Sequence, residues 1–183
     1  MREFKHSHKE SLPKFLKKSE VEEILERAQN EETEHYLILL TLWRSGIRVS
    51  ELTNLKVEDL DLENNRIEIR GGKGGKDRVV PLHPELKSNL KTYIDIKCLK
   101  SNEILFDYSN RWIQKIVKKY VSDDKKWVHP HTFRHSFSVH VLNSGLDSRK
   151  LQKMLGHSSL VTTEIYLDLT AKNVINDFLE NVD

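Results

Sequence analysis

A mainly α-helical fold with one small antiparallel β-sheet, an α+β domain, is what this sequence predicts, and three features carry the expectation. Apolar residues recur at helical spacing through most of the chain, and strict alternation is confined to two short runs either side of GGKGGKD. Helix-starting and helix-stopping residues fall between the periodic segments. At 183 residues the chain suffices for one core of ordinary size.

Residues 1–12 are polar, mixed in charge and without period, which predicts a tail or the remnant of a linker, with order beginning near Pro13. Ser19 followed by Glu22 offers a capping box to a first amphipathic helix, whose inner face is Val21, Ile24, Leu25 and Ala28. From Thr33 the run YLILLTLW is apolar nearly all round, as a buried helix requires, and Gly46 can close it in the left-handed conformation. A turn with Ile47 and Arg48 follows. RIEIR alternates from Arg66 to Arg70, GGKGGKD reverses the chain, and RVVPL resumes the extended pattern, so a β-hairpin is expected.

Pro84 can open a helix with Leu86, Leu90, Tyr93 and Ile94 on its inner stripe, and Ser109 can cap another with Trp112, Ile113, Ile116 and Tyr120 inside. Beyond Pro130 a helix should run to Gly145, and Asp147 should cap the next as far as Gly156. Thr162 or Thr163 can open a short helix holding Tyr166. A last stretch sets Val174, Ile175, Phe178 and Leu179 on one side. No internal repeat or low-complexity segment interrupts this order.

Composition excludes several classes. No run of about 18 apolar residues is present to span a bilayer, and the start, MREFKHSHKE, lacks the apolar stretch of a secretory signal. A cytoplasmic protein is expected. Cys98 is the only cysteine, so neither an internal disulfide nor a Cys-rich zinc site can form. The net charge is only +2, yet seven glutamates and one arginine lie between Glu20 and Glu34, which leaves the rest of the chain basic enough to meet phosphates. GGKGGKD is not a P-loop, because Arg70 stands where the first glycine is required and Asp77 where Ser or Thr is required. A dinucleotide fingerprint fails too, since Asp77 takes the third glycine place. His129, His131 and His135 lack an HExxH pattern or a cysteine partner, so neither metal nor cofactor is expected.

Four clusters carry polar residues that a helical core does not ask for. They are GIRVSEL with Arg48, the hairpin reversal with Lys73, HTFRH with His131 and Arg134 three apart on one helical face, and LGHSSLVTTEIYL with His157 and Tyr166 nine apart. Alone, each has a plainer reading: Arg48 as a helix cap, Lys73 as hairpin solubility, Arg134 in a surface ion pair, Tyr166 as a core aromatic. His135 and His140 gain no role from their spacing and are read as structural. Together, two arginines, two histidines, a lysine and a tyrosine are what phosphoryl transfer at a phosphodiester needs without a metal. Each arginine offers a planar fork to nonbridging oxygens. A histidine or lysine can move the protons, and a tyrosine can attack and keep the bond energy as a phosphotyrosine.

The motifs GIRVSEL, GGKGGKDRVVPLHPEL, HPHTFRHSF and LGHSSLVTTEIY, in this order from about Leu12 to Thr170, resemble the catalytic domain of the tyrosine recombinases, the family of phage integrases and Xer-type recombinases. The resemblance implies that Arg48 and Arg134 clamp phosphate, that Lys73 is the general acid with Lys76 as its competitor, and that His131 accepts the nucleophile's proton. It makes His157 a further phosphate ligand, Tyr166 the nucleophile, and Glu51 a residue that orients its neighbours. It also implies a site-specific recombinase acting on double-stranded DNA through a 3′-phosphotyrosine, with other protomers assembled on DNA in a tetrameric synapse. Residues 13–183 would then be the catalytic domain, without the helical core-binding domain that usually precedes it. The stretch from Val174 to Leu179 would dock on its own domain or on a neighbour. A type IB topoisomerase-like enzyme and a noncatalytic DNA-binding relic are the alternatives.

Overall fold

The computed structural model describes residues 13–71 and 77–156. Lys73, Lys76, His157, Tyr166 and the expected helices near Tyr166 and Val174 lie outside them. The element order is α1 (Lys18–Glu31), α2 (Thr33–Ser45), α3 (Val49–Leu52), β1 (Leu60–Asp61), β2 (Arg66–Ile69), β3 (Arg78–Pro81), α4 (Pro84–Lys97), α5 (Asn110–Tyr120), α6 (Pro130–Asn143) and α7 (Ser148–Leu155). Single 3-10 turns lie at Val57–Asp59 and Asp123–Lys125. The mostly helical α+β expectation is met.

The all-round apolar run of α2 becomes the hub. Every residue from Tyr36 to Trp43 is buried, and the helix packs against α1, α3, α4, α5 and α6. Thr41 is tolerated inside because its hydroxyl donates to the Leu37 carbonyl at 2.7 Å. Around this hub, α1 buries the four residues its periodicity selects, Val21, Ile24, Leu25 and Ala28, which turns its glutamates outward. Helix α4 does the same with Leu86, Leu90 and Tyr93, and Ile94 packs partly buried at the core's edge.

Three local expectations are corrected. The start of α1 lies two residues earlier than the Ser19–Glu22 pairing implies: Lys17 takes the N-cap place, and Glu20 accepts its backbone N–H at 2.7 Å. Trp112 is not inside α5 but 47% exposed, because the buried stripe centres on Ile113, Ile116, Val117 and Tyr120. Lys115 Nζ instead covers the Trp112 ring at 4.8 Å, a surface cation–π contact. The hairpin also gains a third, two-residue strand, β1, paired antiparallel to β2 through Leu60↔Ile67 and Asp61↔Arg66.

Strands β2 and β3 pair in the register Ile67↔Val80 and Ile69↔Arg78, so Ile67, Ile69 and Val80 face the core. Helix α7 closes over β3 and α6. Asp147 caps it by accepting from the backbone N–H groups of Arg149 and Lys150, and Leu151 and Leu155 anchor it with full burial. Each such leucine contributes about 1.5–3 kcal/mol through removal from water.

Gly46 ends α2 at φ +64, and a Cβ there would lie 2.3 Å from Phe137 Cδ1 of α6. Gly46→Ala therefore combines left-handed strain of about 1–2 kcal/mol with overpacking of about 1–3 kcal/mol. Thermal melting should show a clear loss of stability. A variant that melted with the parent would mean that α2 and α6 can separate here at no cost.

Candidate active site

Helix α6 presents its polar residues at two depths. Pro130 starts it, His131 sits at the surface in the first turn, and Arg134, one turn on, is only 4% exposed. Arg134 donates from Nη1 to the Gly46 carbonyl and from Nη2 to the Leu155 carbonyl, each at 2.7 Å. Both acceptors stand at helix C-termini, where unpaired carbonyls and the helix dipole favour a cation. A guanidinium that would be expensive to bury alone is thereby held in a fixed orientation.

Arg48 follows the Gly46 bend and adopts an extended backbone ahead of α3. Its N–H donates to Glu51 Oε2 at 2.7 Å and its Nη1 to Glu51 Oε1 at 2.8 Å. The same carboxylate receives a fork from Arg78 of β3, Nη1 to Oε1 and Nη2 to Oε2, both at 2.7 Å. Glu51 and Arg78 side chains are 8% and 9% exposed. Burial alone would push the Glu51 carboxyl up, but the hydrogen bonds from Arg78 and Arg48 and their positive charges outweigh it, pulling the group down to about 2.

The end of α7 ties these groups together. Arg78 Nε donates to the Met154 carbonyl at 2.7 Å, Arg134 to Leu155, and Arg48 Nη2 makes a long 3.4 Å contact to Gly156. Three consecutive carbonyls thus meet three arginines, from β3, α6 and the turn before α3. Gly156 closes α7 at φ +65, and Arg78 Cδ would lie 3.0 Å from a Cβ there.

His131 has its basicity lowered by partial desolvation, then by the positive fields of His129, Arg134 and Arg48, against a smaller opposing effect of Glu51. It is therefore mainly neutral near pH 7 and able to accept a proton. It lines a cleft of about 400 Å³ with Val49, Lys118, Lys126 and His129. A second cavity, about 600 Å³, opens between α3 and the hairpin and is bordered by Arg48, Glu51, Asp59 and Arg70. His135, pushed down to about 4 by burial and neighbouring charge, and His140, packed 5.1 Å from the Trp43 ring, have the structural surroundings expected of them. Among the described residues no group of His, Cys, Asp and Glu is arranged to hold a metal ion.

Of the residues singled out in the sequence, Arg48 and Arg134 meet the end of α7, Glu51 is bonded to Arg48, and His131 lies in the field of both arginines. Lys73, His157 and Tyr166 lie outside the described residues. Gly156 immediately precedes His157 in the chain, and Gly71 and Asp77, which flank the Lys73 segment, are joined by a 2.9 Å bond from the Gly71 N–H to Asp77 Oδ1. Arg78 was missed. Its signal was parity, since a strand that buries Val80 turns residue 78 to the same side.

A model described as the phage integrase family matches residues 14–173. Tyrosine recombinase XerA of Pyrococcus furiosus is 38% identical over 172 residues, covering 90% of this chain and 60% of that protein. The crystal structure of XerA recombinase aligns with a TM-score of 0.77 at 31% identity, covering 98% of this chain and 67% of that one. XerH site-specific recombinase, bound to its difH substrate in a pre-cleavage complex, aligns with a TM-score of 0.73 at 29% identity, covering 85% and 50%. The chain spans about three-fifths of the length of the curated relatives it matches.

The Glu51 carboxyl titrates lower folded than unfolded, so its contribution to stability is complete above its ordinary value of 4.5 and is lost as pH falls toward 2. Glu51→Gln should cost about 3 kcal/mol at pH 7, the size of such a shift and of breaking a buried pair. Denaturant unfolding should show the gap between parent and variant closing between pH 4.5 and 2. A gap that stayed constant across that range would contradict this electrostatic account.

Proposed function

The chain belongs to the phage integrase family, and from that premise we propose that it is the catalytic domain of a site-specific DNA recombinase, cleaving and rejoining double-stranded DNA through a 3′-phosphotyrosine on Tyr166. The observation that carries the reading is the convergence of Arg48 and Arg134 on adjacent carbonyls of α7, with His131 in the field of both.

Two guanidiniums held this way present fixed forks to the nonbridging oxygens of one phosphate and stabilise the charge that grows in the transition state. The phenol oxygen of Tyr166 attacks phosphorus and gives its proton to His131. The bond from phosphorus to the 5′ oxygen breaks, and Lys73 supplies the proton that the departing oxygen needs. His157 adds a donor to the phosphate. One phosphodiester is exchanged for another, so reversal needs no ATP. XerH site-specific recombinase bound to its difH substrate supports a recombination site in DNA as the substrate here, and other protomers, arranged as a tetrameric synapse, would supply the second duplex. The C-terminal stretch at Val174, Ile175, Phe178 and Leu179 is proposed to couple neighbours in that assembly.

The test is a suicide duplex in which cleavage releases a short fragment and traps the covalent complex. Tyr166→Phe should abolish capture while leaving noncovalent binding nearly unchanged, and EDTA should not slow it, because the arginines supply the charge a metal would otherwise bring. Arg48→Ala should cleave about 10²-fold slower or worse, and Arg48→Lys should recover little, since an ammonium cannot reproduce the fork. Capture by Tyr166→Phe at the parental rate would refute the assignment.

His131 gives a separate check. Its basicity lies below the ordinary histidine value of 6.5, so the accepting form is lost only on the acid side of that pH. Single-turnover cleavage should therefore decline below pH 6.5, and the decline should vanish in His131→Ala along with most of the rate. An unchanged acid limb in that variant would remove His131 from the proton-accepting role.

A further inference from the structure

The carboxylate of Glu51 stands beside the very guanidinium that the proposed chemistry needs, and a carboxylate competes with a phosphate for the same planar fork. What limits that competition is Arg78. Its Nη1 and Nη2 occupy both oxygens of Glu51 at 2.7 Å, and this leaves the Arg48 side chain a single bond, Nη1 to Oε1. The Arg78 Nε is at the same time bonded to the Met154 carbonyl, and its stem lies against Gly156. One side chain therefore joins β3, α3 and the end of α7. It follows the Lys73 segment by a few residues along the hairpin.

We propose that Arg78 is a positioning residue for strand cleavage: by taking the fork of Glu51 for itself it keeps Arg48 available to the scissile phosphate, and by holding Met154 it fixes the end of α7 against the hairpin. The idea rests on the functional reading above. Without Arg78, Glu51 keeps its charge at neutral pH and has Arg48 as its nearest cation. The two then close into a bidentate pair, and Arg48 turns from the phosphate toward the protein. Binding of DNA is little affected, because many other cations meet the backbone, whereas the rate of the chemical step falls. His131 of α6 also feels Glu51, so a carboxylate no longer balanced by Arg78 raises its basicity.

Arg78→Met retains much of the apolar stem and removes the fork. Misplacement of one phosphate ligand on the ångström scale predicts single-turnover cleavage slower by about 10²-fold, with affinity for the intact duplex within a few-fold of the parent. The distinguishing result is the double variant. Glu51→Gln alone slows cleavage, but in the Arg78→Met background it removes the competitor, so the double variant should cleave about tenfold faster than Arg78→Met alone, recovering part of that loss. Arg78→Lys keeps the charge without the fork; it should remain folded by melting and still cleave slowly, and it carries the test should Arg78→Met not fold. Parental rates in the Arg78 variants, or a double variant no faster than Arg78→Met, would overturn the positioning role while leaving the recombinase reading intact. A parent chain that captured no suicide duplex would overturn the functional reading, and the role of Arg78 with it.

Discussion

The last carbonyls of α7 have no partners within the helix, and the way they are satisfied organises the site. Met154, Leu155 and Gly156 each accept from an arginine, contributed by β3, α6 and the residue that precedes α3 in turn. A helix C-terminus carries roughly half a negative charge on such groups, so it can gather cations that would otherwise repel one another. The same Arg134 also takes the carbonyl that ends α2, which fixes the bend from which Arg48 emerges. Backbone geometry at two helix ends thus determines where two guanidiniums lie.

Three guanidiniums at one helix end would repel strongly without an internal anion, and Glu51 provides it. Its carboxylate shares its oxygens between Arg48 and Arg78 and lies almost wholly out of solvent. Buried ion clusters of this kind are poor sources of stability compared with apolar packing of the same volume, because desolvation cancels most of the attraction. The stabilisation of this fold is carried by the leucines and aromatics around α2. The cluster makes better sense as a device for orientation. It sits where α3, α7 and the hairpin meet.

Much of this was legible in the sequence, for identifiable reasons. Helices α2, α4, α6 and α7 announced themselves because period and caps agree, α1 by its period alone, and Gly46 and Gly156 take the left-handed ends their positions suggest. Trp112 was misassigned because one step along a helix turns a residue by 100°, and the stripe through Ile113 and Ile116 left it outside. Strand β1 is two residues long and has no alternation to read. Arg48, His131 and Arg134 stood out as polar residues interrupting apolar patterns, and Glu51 only through the family resemblance of GIRVSEL. What no local pattern could reveal was that Arg78 reaches Glu51 across 27 residues and Met154 across 76. An arginine beside a glycine-rich reversal looks like solubility until its parity with buried Val80 is noticed.

The shared use of the arginines also bears on turnover under the proposed chemistry. A reaction that exchanges one phosphodiester for another must run in both directions, so a site that gripped the singly charged ester or the phosphotyrosine tightly would stall on either side. Only binding that strengthens in the transition state raises the rate. Arg48 and Arg134 direct part of their donors to Glu51 and to helix carbonyls, which moderates their attraction for a resting phosphodiester. As charge builds on the nonbridging oxygens the remaining attraction grows, and the fixed guanidiniums need no reorganisation to meet it. Under that chemistry the contacts that tie the arginines to the protein would serve selectivity for the transition state as well as position, and loosening them to free more donors would favour the ground states first.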